Sequence, residues 1–137
     1  MTHSHGVGLY AFSVDGEVGV DVETTDRRVD AKGVARRFFT ERESDWVLSH
    51  PEDQVKEAFV RIWTCKEACL KWTGAGLKGG LRTHEIEFEE GWAGPRASGE
   101  GDQPALAMLE PAEGWTGALA ADDHRAVRCQ VWEGGVP

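Results

Sequence analysis

"DQVKEAFVRIWTCKEACLKW", residues 53–72, decides the fold. Val55, Phe59, Ile62, Trp63, Cys69 and Leu70 recur at helical spacing and make one apolar stripe. Gly74 follows as a stop. The spacing predicts a helix over 53–72. Toward its end Lys66, Glu67 and Lys71 sit among Trp63, Cys69, Leu70 and Trp72. Charges so near an apolar stripe either line a solvent edge or are held at a site. What else in the chain can meet them decides which.

Upstream, residues 9–23, "LYAFSVDGEVGVDVE", read as a β-hairpin. Tyr10, Phe12 and Val14 alternate along the incoming strand, Val18, Val20 and Val22 along the outgoing one, and Asp15-Gly16 is a two-residue turn signal. Two short helices are expected at 30–39 and 41–49. Thr40 suits the N-cap of the second, with Glu43 three positions on as a capping box, and Pro51 ends it. Downstream the pattern changes to strands at 84–89, 105–110, 116–121 and 126–132. The Gly- and Pro-rich stretch 91–104 is a loop, and 133–137 is expected to fray. The order of elements implies one α+β domain over 1–137, with a largely antiparallel sheet packed against a long helix.

Composition limits the function. The chain has 137 residues, enough for one core. It carries a formal charge of −9, which argues against a general nucleic-acid binder. "DRR" (26–28) reads as a solvated loop and "ARR" (35–37) as a helix face. No apolar run approaches the roughly 20 residues needed to span a bilayer, and no secretory leader is visible at residues 1–5. Cys65, Cys69 and Cys129 are an odd number without metal-ligand pairing, as expected of free thiols in a reducing cytoplasm.

"GVDVE" (19–23) carries the first chemical signal. Strand alternation turns Val20 and Val22 to the core and Asp21 and Glu23 together to the other face. Two carboxylates at this spacing, about 7 Å apart at Cα, are either a polar solvent edge or a pair converging on one cation. On the long helix, Glu67 and Lys71 are four apart, either as a simple ion pair or as site residues. If Glu67 points at Asp21 and Glu23, the three suit a hard divalent ion such as Mg2+. Lys71, one turn on, then meets a phosphate as a point charge. Together they describe metal-assisted phosphoryl transfer.

"GVDVE" followed by "WTCKEACLKW" resembles the paired signature of the 4'-phosphopantetheinyl transferases, G-x-D-x-E and W-x-x-K-E-x-x-x-K. "HSHG" (3–6), "ARRFFTERE" (35–43), "GAGL" (74–77) and "EGWTGALAA" (113–121) resemble further segments of the surfactin-synthetase-activating (Sfp-like) branch. The resemblance covers nearly the whole chain. It implies transfer of the phosphopantetheine arm of coenzyme A to a serine of an apo acyl or peptidyl carrier protein, with release of 3',5'-ADP. Asp21, Glu23 and Glu67 would be the Mg2+ ligands, and Lys71 would contact the pyrophosphate with Lys66 nearby. Ser4 and His5 would contact the nucleotide 3'-phosphate. Glu67, or Glu43 through water, would help deprotonate the serine. Without the family, His5 reads as a frayed terminal residue, Lys66 as solvated, and Gly74 and Gly76 as a stop and a turn.

Sfp-like enzymes contain two similar halves with coenzyme A between them, and this chain resembles the second half alone. It is therefore expected to pair with itself, to pair with a separate N-terminal-half chain, or to be a shortened product with little or no activity. Carrier proteins are usually acidic, as is this chain, so docking would rest on a local patch. Trp46, Trp92 and Phe39 are the apolar candidates, with Arg36 and Arg37 for charge. Two rivals stand beside the transferase: a non-catalytic domain that binds coenzyme A or a carrier, and an unrelated acidic cation site. A retired domain would be expected to have lost a ligand, yet all three carboxylates are present. Calcium loops group their ligands in one segment, and no such run occurs.

Overall fold

A computed structural model describes residues 1–76, 80–90, 94–123, 127–128 and 130. The elements are β1 (Thr2–Ser4), β2 (Val7–Leu9), β3 (Val18–Thr24), α1 (Ala31–Phe38), α2 (Glu41–Leu48), a 3-10 turn (Glu52–Gln54), α3 (Val55–Thr73), β4 (Glu85–Glu87), β5 (Arg96–Ser98), β6 (Ala105–Leu109) and β7 (Trp115–Ala121). β3 to β7 form one antiparallel sheet in the order β3-β7-β6-β5-β4, while β1 and β2 pair separately. The α+β class and the antiparallel sheet packed on the long helix are as expected.

α3 is the central pillar. Its buried residues run from Val55 to Leu70 and include Phe59, Ile62, Cys65, Ala68 and Cys69. Phe59 stacks on Phe39 at 5.3 Å and on Trp63 at 5.8 Å, tying α1 to the helix. The helix ends at Gly74, whose φ of 71° is a left-handed cap that glycine adopts without a Cβ penalty. Ahead of it, the capping box of α2 is present in both directions. The Thr40 hydroxyl accepts from the Glu43 N–H and the Thr40 N–H donates to Glu43 Oε2.

Two expectations for the N-terminal strands need correction. Residues 9–14 do not pair with β3. Val7–Leu9 instead pair with Thr2–Ser4 through a His5-Gly6 turn, both residues having positive φ. Tyr10, Phe12 and Val14 are left 68%, 91% and 99% exposed. The alternation of β3 is present, but its faces are reversed. Gly19 lies against α3 so closely that a Cβ would collide with the Ala68 carbonyl and the Trp72 amide nitrogen. Ala120 and Ala118, opposite Gly19 and Asp21 on β7, belong to the core with α3. The Gly19-Asp21-Glu23 row therefore faces the helix. Val20 and Val22 are buried on the far side, where Leu9 reaches Gly117 beside them. Small residues won the helix face because backbones approach closely there.

β5 lies inside the stretch expected to be loop. The strand expected at 126–132 falls mostly outside the described residues, as does the fraying of 133–137; Val127, Arg128 and Gln130 are described and are not in a strand. Cys65 and Cys69 are free and buried, and Cys129 is outside the described residues. Burial raises the Cys65 thiol well above its ordinary value and that of Cys69 to about 12. Both are held as inert thiols. Among the described residues no helix is long and apolar enough to cross a membrane.

Candidate active site

The close packing at Gly19 has a consequence two residues on. It brings Asp21 under the last turn of α3, where Lys71 Nζ donates to Asp21 Oδ1 at 3.0 Å and to the Val20 carbonyl at 3.1 Å. Thr2 Oγ1 donates to the same Oδ1 at 3.1 Å. Oδ2 of Asp21 is buried and has no hydrogen-bond partner among the described residues. Burial raises the Asp21 pKa, Lys71 and Thr2 oppose the rise, and Glu23 adds to it. A buried carboxylate oxygen without a donor is costly, so this atom is a candidate ligand.

Glu23, on the same face, accepts from Ser4 Oγ at 3.2 Å and from Arg27 Nη1 at 3.3 Å. Glu67 comes from α3. Burial raises its pKa first, then the negative charge of Asp21, with a smaller push from Glu23 and opposition from Lys71 and Arg27. The structure thus brings Asp21, Glu23, Glu67 and Lys71 into one electrostatic neighbourhood, where two carboxylates hold protons more tightly than they would in water. Among the described residues, however, no three His, Cys, Asp or Glu side chains are already gathered as a metal cage. Lys71 supplies positive charge beside Asp21. The donor set still fits a hard divalent ion, because it offers carboxylate oxygens, one of them buried and unpartnered, and a surplus of negative charge.

Two expected site residues are elsewhere. Lys66 is fully buried, its ammonium paired with Glu43 Oε1 at 2.7 Å and donating to the carbonyls of His84, at 2.6 Å, and Leu81. An ammonium has three donors, and all are used, so none is left for a nucleotide. Burial lowers the Lys66 pKa against the opposing charge of Glu43. Glu43 Oε1 also accepts from the Ile86 N–H at 2.6 Å and Oε2 from Thr40. Glu43 therefore has no oxygen facing an incoming serine. The pair joins α2, α3 and the approach to β4. Phe39, proposed for docking, is 2% exposed; Trp46 is part-buried against Phe88, and Trp92 lies outside the described residues. Arg36 and Arg37 are exposed on α1.

Two residues were missed. Arg27, expected in a solvated loop, pairs with Glu23 and lies 5.1 Å over the Trp63 ring. Thr2 went unread. Its only sequence signal is that Thr2 and Ser4 repeat the two-residue spacing of Asp21 and Glu23. His5 is exposed, with Nδ1 3.0 Å from Ser4 Oγ.

The site is thus a helix laid on an antiparallel sheet, with Lys71 of the helix paired to Asp21 of the strand and Glu67 within the electrostatic reach of Asp21 and Glu23. Residues 17–121 match the model of the 4'-phosphopantetheinyl transferase superfamily, and the chain belongs to that family. It is 39% identical over 88 residues to the 4'-phosphopantetheinyl transferase HetI of Nostoc sp., covering 64% of this chain and 36% of that protein. To Sfp of Bacillus subtilis it is 27% identical over 90 residues, 66% of this chain and 39% of that one. The chain thus spans little more than a third of these two relatives. Two crystal structures share its fold. The holo-[acyl-carrier-protein] synthase of Thermotoga maritima aligns with a TM-score of 0.62 at 23% identity, over 77% of this chain and 61% of that one. The Bacillus anthracis synthase, in complex with CoA (3',5'-ADP), aligns with a TM-score of 0.64 at 17% identity, over 77% and 93%.

Proposed function

We propose that this chain transfers the 4'-phosphopantetheine arm of coenzyme A to a serine of an apo acyl or peptidyl carrier protein and releases 3',5'-ADP. The observation that carries this is the convergence of Asp21, Glu23, Glu67 and Lys71 at the junction of β3 and α3, in a chain of this family. The serine hydroxyl attacks the β-phosphorus of coenzyme A. An O–P bond forms to the carrier, the bridging P–O bond breaks, and its electron pair leaves on 3',5'-ADP.

Asp21, Glu23 and Glu67 would hold a Mg2+ ion, which supplies charge neutralisation of the pyrophosphate when bound. Lys71 spends two N–H groups on Val20 and Asp21, and its side chain is 37% exposed. Its third N–H suits a phosphate oxygen of the leaving group. The raised proton affinity of Glu67 suits a carboxylate that accepts the proton of the attacking serine. Glu43 does not share this role, because both its oxygens are engaged. His5 is exposed and keeps its proposed role at the nucleotide phosphate, while the hydroxyl of Ser4 is turned to Glu23 instead.

A second reading has its own support. The chain spans little more than a third of these two curated relatives, and on this second reading it supplies one wall of the cleft while the other comes from outside residues 1–137. A second copy is the simplest source, and a separate N-terminal-half chain is the alternative. Without either, the domain would bind coenzyme A or a carrier and not turn over. The test is incubation with Mg2+, coenzyme A and a panel of apo carriers, read by intact mass with light scattering on the same sample. Transfer by an oligomer supports self-completion. A monomer without transfer overturns the reading of an enzyme complete in itself.

A further inference from the structure

Thr2 and Ser4 are buried in a segment whose neighbours Met1, His3, His5 and Gly6 are exposed. Neither is buried for apolar reasons. Each hydroxyl is spent on a carboxylate of β3: Thr2 on Asp21 Oδ1 at 3.1 Å, Ser4 on Glu23 Oε2 at 3.2 Å. β1 and β3 are not paired in a sheet, yet the two-residue spacing of one matches that of the other, 19 positions apart in both cases. These two bonds tie β1 to β3.

The bonds also select which oxygens remain. Oδ1 of Asp21 takes both Thr2 and Lys71, so Oδ2 is the atom left without a donor. With its single proton given to Glu23, Ser4 can meet His5 Nδ1 at 3.0 Å only as an acceptor, so Nδ1 carries a proton. A chain of donors then runs from His5 through Ser4 to Glu23, opposite Arg27 on the other oxygen.

We propose that β1 is the positioning strand of the carboxylate site: Thr2 and Ser4 fix the orientations of Asp21 and Glu23 in which a divalent cation is bound. This rests on the reading of those carboxylates as cation ligands. Neither residue touches the reacting atoms, and their part is to hold ligands that otherwise rotate. Outer-shell hydrogen bonds of this kind are worth about 10- to 100-fold in metal affinity.

The experiment is Mn2+ binding to the full chain, with no other ligand, followed by loss of the free-ion paramagnetic signal. Thr2→Val keeps the shape of the side chain and removes its donor. It should weaken Mn2+ about 10- to 100-fold, and Thr2→Ser should restore affinity to near that of the wild type. Thr2→Val binding as tightly as the wild type overturns the inference. If Thr2→Val unfolds the chain, Ser4→Ala decides by the same criterion. Wild-type protein that binds no Mn2+ overturns the cation site itself, and the positioning role with it.

Discussion

Lys71 Nζ lies 3.0 Å from Asp21 Oδ1, so the ammonium proposed for the pyrophosphate is paired with a proposed metal ligand. The pair links the last turn of α3 to β3 and sets the charge of the site. Lys71→Ala should lower kcat for transfer by about 10²- to 10³-fold, the cost of removing one group that stabilises developing charge. Lys71 is more than a third exposed but its partner Asp21 is buried, so leaving that carboxylate short of a donor should also cost stability, on the order of 1–3 kcal/mol. Steady-state kinetics beside a thermal melt separates the two effects. A large drop in melting temperature with normal turnover would show that Lys71 is only a strut.

Lys66 and Glu43 should behave the opposite way. Their ion pair is 2.7 Å long and both side chains are buried. Removing one partner leaves an uncompensated buried charge, so Lys66→Met should cost about 3–5 kcal/mol. Lys66→Met with Glu43→Gln should recover part of that loss, measured by urea denaturation. A Lys66→Met protein of unchanged stability but raised KM for coenzyme A would return Lys66 to the nucleotide site.

The pH dependence follows from Asp21 and Glu67. Both have folded-state pKa values raised above their ordinary ones, burial being the first cause. The folded chain then binds more protons than the unfolded chain between the two values, so stability from these groups falls as pH rises through that window. This is the reverse of an ordinary salt-bridged carboxylate. In the cation-free protein Glu67→Gln should therefore raise the melting temperature at neutral pH. Mg2+ should stabilise the wild type at pH 7 and lose its effect at an acid pH below the raised values of Asp21 and Glu67, where both hold protons. Scanning calorimetry at the two pH values with and without Mg2+ checks both statements.

Most of the framework was legible because it rests on local rules. The stripe of α3, its stop at Gly74 and the Thr40–Glu43 box are each set by residues within a few positions, and each forms as expected. What the sequence hid was decided between distant segments. The face of β3 depends on which side α3 can approach, and Gly19 with Ala118 and Ala120 settles that through backbone proximity, which hydrophobic alternation cannot express. The hairpin at 9–23 was outcompeted by β1, a strand too short for a periodic signal. Lys66 and Glu67 are adjacent in sequence, yet a helix turns neighbours about 100° apart. One is buried against Glu43 and the other is half-buried and senses Asp21. The family signature contains both residues and does not separate a strut from a ligand.

The central claim is that Glu67 and the β3 carboxylates perform transfer from coenzyme A. The most direct test runs wild-type and Glu67→Gln proteins side by side, each with Mg2+, coenzyme A and an apo carrier, and reads the carrier by intact mass. The wild type should add the phosphopantetheine arm, and Glu67→Gln, with an unchanged circular dichroism spectrum, should add none. Transfer by Glu67→Gln at the wild-type rate would contradict the account.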